Sequence, residues 1–152
     1  MVNEPCDGLE RGVISEIQST VSSIKRAISK ARNVSSHKIE SVTTGIAGSH
    51  IQCFNGNAEI NITNDEVTEE DKIKVVENAQ DVQIPNDQEV LHVIPQYYTI
   101  DGQIGIREPI AMAGARLGVN VHIITSSTTA KKNLMKCIEN SLLDVDHFVL
   151  EP

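Results

Sequence analysis

The sequence predicts a mixed α/β fold in which a small α+β module is inserted into a second, discontinuous unit. Three observations carry this expectation. Apolar residues recur at helical spacing in three separated segments. Runs of β-branched residues lie between them, bounded by Gly, Pro and Asn-Gly. The first and last helical segments then flank a compact middle.

Ile14, Ile17, Val21, Ile24, Ile28 and Ala31 share one helical face, which predicts a one-sided helix over residues 15–32. Ser15 with Gln18 fits a capping box, and Lys30 and Arg32 suit the negative end of the helix dipole. Residues 38–47 read as a strand running into Gly48. Residues 50–54 and 58–62 flank Asn55-Gly56, a hairpin-turn signal. A second helix is expected from Thr68 to Gln80, burying Ile73, Val76 and Ala79, with Glu69, Glu70 and Asp71 at its positive end. Pro85-Asn86-Asp87 marks a turn before a long strand, LHVIPQYYTIDG (residues 91–102). Proline has no N–H to give a sheet ladder, so Pro95 places this stretch at an edge or a bulge. A loop with Gly102, Gly105, Pro109 and Gly114 leads to a strand over residues 117–126. Thr128 or Thr129 caps a third helix, residues 130–142, burying Leu134, Met135, Ile138 and Leu142, before a closing strand at 145–150.

The chain has 152 residues, 39% hydrophobic and 22% charged, the composition of an ordinary soluble globular domain. No run reaches the roughly 18 apolar residues of a membrane span, and the opening MVNEPCDGLERG lacks the regions of a signal peptide. Cys6, Cys53 and Cys137 are three widely spaced cysteines, which points to a reducing, cytoplasmic setting. The net charge of −8 is concentrated: residues 59–89 hold ten acidic residues against Lys72 and Lys74. Such a segment repels phosphate backbones, and no basic groove with stacking aromatics occurs elsewhere. Nucleic acid is therefore excluded as the expected partner.

No catalytic centre emerges. His50 and Cys53 stand at ligand spacing, but residues three apart on a strand face opposite sides. His92 and His122 lie on two long strands with no acidic or thiol ligand fixed beside them. The acidic run Asn64–Asp71 lacks the glycine and spacing of an EF-hand loop and reads as a capped, solvated helix start. Gly102-Gln103-Ile104-Gly105 has the form of a KH loop without its basic flank. Walker A, GxGxxG and G-x-S-x-G motifs are all missing.

One stretch is far more specific. Residues 92–125, HVIPQYYTIDGQIGIREPIAMAGARLGVNVHIIT, match a pattern HVIPQ-x-Y-x-x-D, I-x-x-P, M-x-G-x-R-L, VHIIT. The matching positions are His92 to Gln96, Tyr98, Asp101, Ile106, Pro109, Met112, Gly114, Arg116, Leu117 and Val121 to Thr125. Together with Gly8-Leu9-Glu10-Arg11-Gly12-Val13, Ala47-Gly48-Ser49-His50-Ile51 and the closing VDHFVLEP, they make nearly the whole chain resemble the FtsA family of bacterial cell-division proteins. Tyr97 stands where an acidic residue is common in that pattern, and Ala111 where glycine is common.

The resemblance implies a fragment of an actin-like (ribonuclease H-like) protein. Residues 1–48 and 127–152 would be parts of subdomain 1A, wrapped around an inserted strand-helix-strand-strand subdomain 1C at 49–126. The resemblance further implies a non-catalytic interaction module at the septum, serving FtsA self-association and recruitment of late divisome membrane proteins through their cytoplasmic tails. ATP and magnesium are expected only in the full-length parent, whose phosphate loops lie outside this stretch. FtsZ docking and membrane binding are likewise expected of other regions, so this chain should not insert into a membrane directly. The alternative is a nucleotide-binding actin-like ATPase whose site is incomplete here. Candidate partner-binding residues are Phe54, Asn55, Gly56 and Asn57, the helix positions Glu69, Glu70 and Lys74, and Tyr97 with Tyr98.

Overall fold

The computed structural model describes residues 1–35 and 37–151. The described residues form β1 (Leu9–Glu10), β2 (Val13–Ile14), α1 (Ile17–Val34), β3 (Ser41–Ile46), β4 (Gln52–Asn61) and α2 (Glu69–Asn78). They continue with β5 (Gln88–Ile100), β6 (Gln103–Ile106), β7 (Arg116–Ser127), α3 (Thr128–Glu139) and β8 (Asp144–Leu150). This is the expected mixed α/β composition. The chain divides into two compact units, Met1–Ile51 with Ser126–Pro152, and Gln52–Thr125.

In the first unit β3 and β8 pair in parallel, and α1 packs on α3. Parallel neighbours need a long crossover, and here the whole second unit lies between them in sequence. Val21, Ile46, Cys137, Ile138 and Leu143 are buried. The capping box expected at Ser15 does not form. Glu16 is the N-cap without a side-chain cap bond, and the Ser15 and Glu16 N–H groups both donate to the Gly8 carbonyl at 2.8 and 3.1 Å. Gly8 comes close enough because a hairpin joins β1 to β2 through Arg11 and Gly12. Both residues have positive φ (50° and 80°), as a two-residue type I′ turn requires. At α3, Ser127 rather than Thr128 or Thr129 is the N-cap, accepting from the Ala130 N–H at 3.4 Å. Leu142 is not in the core. It follows the helix with φ 61° and is 84% exposed.

In the second unit four strands lie in the order β4-β7-β5-β6, with α2 covering one face. Alternation sets the inner layer: Phe54, Gly56, Ala58 and Ile60 of β4 stand opposite Ile123, Val121, Val119 and Leu117 of β7. Val67, Val75, Ala79, Tyr98, Ile100 and Ile106 complete the buried cluster.

The hairpin expected at Asn55-Gly56 is absent. β4 runs straight through both residues in unbroken antiparallel register with β7. Gly56 serves packing instead: a Cβ there would lie 2.0 Å from the Ala79 carbonyl oxygen at the end of α2. The Asp-Gly pair at 101–102, with φ 47° and 88°, makes the real turn, joining β5 to β6. Ile73, expected in the core, is 56% exposed, while Val75 is fully buried. The helix is rotated so that Val75 and Ala79 define its buried stripe.

β5 carries Pro95 through a thirteen-residue strand. β6 pairs with Tyr98, Thr99 and Ile100, so among the described residues no strand lies beside Pro95 on the side away from β7. Val93 packs against the core, and so do Tyr98 and Ile100. One regular strand cannot turn odd and even residues to the same face. β5 therefore changes phase between Val93 and Tyr98, as a bulge does. Pro95 marks both an open edge and an irregularity.

Candidate protein-interaction surface

The second unit presents two different surfaces. On the sheet face away from α2, β4 and β7 align Asn55 with His122 and Asn57 with Asn120. The Asn55 Oδ1 lies 2.9 Å from His122 Nδ1. Asn55, Asn120 and His122, with Gln96, Tyr97 and Val121, border a depression of about 390 Å³. It is rich in amides and carries no formal charge.

The other surface is the outer side of α2. Thr68 accepts from the Asp71 N–H at 3.2 Å, and the Asp71 carboxylate accepts from the Thr68 N–H at 3.0 Å, completing a capping box. The Thr68 hydroxyl, donating to the Asp71 carboxylate at 2.7 Å, and then the Thr68 N–H hold the Asp71 carboxyl below its usual range. Glu69, Glu70, Ile73, Lys74 and Glu77 are exposed along this helix. Lys72 instead lies along the surface. Its Nζ donates to both Glu108 oxygens at 2.9 Å and stands 5.9 Å from the Tyr98 ring centre. That ammonium depresses the Glu108 carboxyl, and burial raises the Tyr98 hydroxyl. The arrangement clips α2 to the segment after β6, over the Tyr98 ring.

The nine candidate residues therefore separate. Asn55, Asn57 and Tyr97 share the amide-rich face, while Glu69, Glu70 and Lys74 lie on the helix across the unit. Gly56 and Tyr98 are buried, and Phe54 packs into the core, so these three support surfaces instead of forming them. Asp101 matches the family pattern but has no role assigned from the sequence. Its carboxylate accepts from the Ala115 N–H at 3.0 Å and the Arg116 N–H at 2.8 Å, which holds its pKa low. The Asp-Gly spacing was the signal for it.

Charge divides between the units sharply. Residues 52–125 contain twelve acidic and four basic residues, and the remainder nine of each, so the whole net charge of −8 belongs to the second unit. The first unit has an open apolar groove of about 340 Å³ bordered by Ile24 and Ile28 of α1, Val42 of β3, Leu134 and Ile138 of α3, and Leu143. Beside a smaller cavity there, both His50 ring nitrogens are buried without a partner, and burial lowers the His50 pKa. Among the described residues no three His, Cys, Asp or Glu side chains gather as metal ligands. No helix among them is long and apolar enough to cross a membrane.

Residues 48–125 match the family described as the SHS2 domain inserted in FTSA. The chain belongs to the FtsA family. It is 43% identical over 148 residues to the cell division protein FtsA of Neisseria meningitidis serogroup B, covering 97% of this chain and 36% of that protein. The FtsA of Pseudomonas aeruginosa is 44% identical over 147 residues, covering 97% and 35%. That of Escherichia coli K12 is 37% identical over 145 residues, covering 95% and 34%. The chain thus spans about a third of the length of these relatives. In fold it resembles a chain of a PilM-PilN type IV pilus biogenesis complex, with TM-score 0.58 and 15% identity over 97% of this chain and 38% of that one. The fold is accordingly a partial actin-like α/β unit carrying the FtsA insert.

Proposed function

We propose that this chain is a non-catalytic interaction module of a bacterial cell-division protein, with its inserted unit docking basic cytoplasmic tails of late divisome membrane proteins. The observation that carries this reading is the confinement of the −8 net charge to the unit that matches the FtsA insert. A field of one sign accelerates encounters with oppositely charged segments and selects against like-charged ones. The insert and its flanks are read as subdomains 1C and 1A, with the protein acting at the cytoplasmic face of the septum. Self-association is assigned to the first unit, which has balanced charge and an open apolar groove.

The test is capture of basic cytoplasmic tails by this chain at low and high salt. Binding that fades between 50 and 300 mM salt, on the order of tenfold or more, is expected. Capture that ignores both salt and tail charge rejects the reading. ATP and magnesium binding is assigned to the longer parent. Calorimetric nucleotide affinity of these 152 residues would favour the ATPase alternative instead.

A further inference from the structure

Resting on the docking reading above, we propose that the outer edge of β4 is a strand-addition site for an extended cationic segment of a partner. β4 is the outermost strand of its sheet. The Ile62 N–H donates to the Ala115 carbonyl at 2.8 Å in the same register that pairs Asn61 with Arg116. Antiparallel ladders alternate by two residues. The even-numbered residues of β4 therefore bond to β7. Cys53, Asn55, Asn57, Glu59 and Asn61 turn their N–H and C=O groups outward.

Natural edges are blunted with proline, lysine, bulges or a covering element. β4 has no proline and no basic residue, and its pairing with β7 shows no register break over ten residues. Its single charge, Glu59, is paired with Arg116 at 3.1 Å. The open part of β5, by contrast, is interrupted by Pro95 and by its change of phase. β4 is thus the longer uninterrupted template for pairing.

Charge chooses the occupant. A second copy would bring another unit of −8 to this edge, against mutual repulsion, whereas a lysine- or arginine-bearing segment is drawn to it. Backbone pairing supplies affinity in such additions, and alternate side chains supply selectivity. Inward side chains of the added segment would continue the layer of Phe54, Ala58 and Ile60. Its outward side chains would lie beside Asn55, Asn57 and Glu59.

The probe is a fluorescent peptide of alternating lysine and valine, with a glutamate-valine peptide as its counterpart. The lysine peptide should bind the full chain, lose affinity with salt, and slow amide exchange at Cys53, Asn55, Asn57, Glu59 and Asn61. Asn57→Pro removes one outward N–H and leaves the β7 ladder intact, so it should weaken binding about tenfold or more. Unchanged exchange at Ile62 would show that the fold persists, and Cys53→Pro repeats the test if Asn57→Pro does not fold. Binding of the lysine peptide with protection elsewhere overturns the edge assignment while leaving cationic docking intact. Absence of any cationic binding removes the docking reading itself. Equal binding of the glutamate peptide, or a dimer that Asn57→Pro dissociates, overturns the choice of occupant.

Discussion

Gly56→Ala tests the packing of the second unit most directly. A Cβ at this position would stand 2.0 Å from the Ala79 carbonyl oxygen and 3.1 Å from Val121 Cγ2. Carbon–oxygen contact needs more than 3 Å, so the end of α2 would retreat by roughly 1 Å. The obstacle is main chain, held by the Ala79 N–H bond to Val75 O at 3.0 Å, and cannot rotate away as a side chain could. Retreat also loosens Val75 and Ala79, at 0% and 1% exposure. Overpacking of this kind costs about 1–3 kcal/mol, and a backbone obstacle places it at the upper end. The entropy that alanine removes from the unfolded chain returns about 0.4–1 kcal/mol. A net loss of about 2 kcal/mol is expected, close to a thirtyfold increase in opening. Native-state amide exchange reads it at Ile62 and Ala79, and circular dichroism melting reads it globally. Gly102→Ala supplies the contrast: φ is 88° and nothing lies within 4 Å, so its cost of about 1 kcal/mol is conformational and local. If Gly56→Ala leaves exchange at Ala79 within about 0.5 kcal/mol of the parent, close helix packing is not why β4 carries this glycine.

Ala111 holds φ 60° while its N–H donates to Val67 O at 2.9 Å, so Ala111→Gly should relieve left-handed strain and stabilise by about 0.5–1 kcal/mol in urea titration. A destabilisation there would show that the strain is not stored at Ala111. Val75→Ala should cost about 2 kcal/mol, whereas Ile73→Ala, two residues away and exposed, should stay within about 0.5 kcal/mol. Equal costs would mean that α2 is rotated from its described position. The Asp71, Asp101 and Glu108 carboxyls have folded pKa values below their ordinary ones. Their stabilisation is complete above the ordinary carboxylate range and is lost as pH falls through the folded values. Asp101→Asn should flatten that acid limb in a pH series of melting curves. His50 has a lowered pKa from burial, so folding should weaken as pH falls below 6.5, and His50→Gln should remove that slope.

Much of the candidate site was legible as residue types and little of it as geometry. Asn55, Asn57 and Tyr97 come together across β4, β7 and β5, and Glu69 and Glu70 occupy an exposed helix face. Tyr98 could not be separated from Tyr97 by sequence alone, because the change of phase near Pro95 decides which tyrosine turns inward. Asn55-Gly56 and Asp101-Gly102 carry the same local turn signal. Only the second has positive φ and makes a turn. The first is held straight by ten residues of pairing with β7 and by a helix that fits only where a Cβ is missing.

By itself the sequence determined the element types, the family pattern, the concentration of negative charge and the open edge implied by Pro95. These follow from periodicity, composition and the missing proline N–H, which are properties of short segments. Tertiary structure decided which glycine turns and which packs, the rotation of α2 that exposes Ile73, and the Lys72–Glu108 clip over Tyr98. It also decided which backbone groups β4 leaves outward. Each depends on partners distant in the chain, and pairing register and helix rotation exist only once those partners meet.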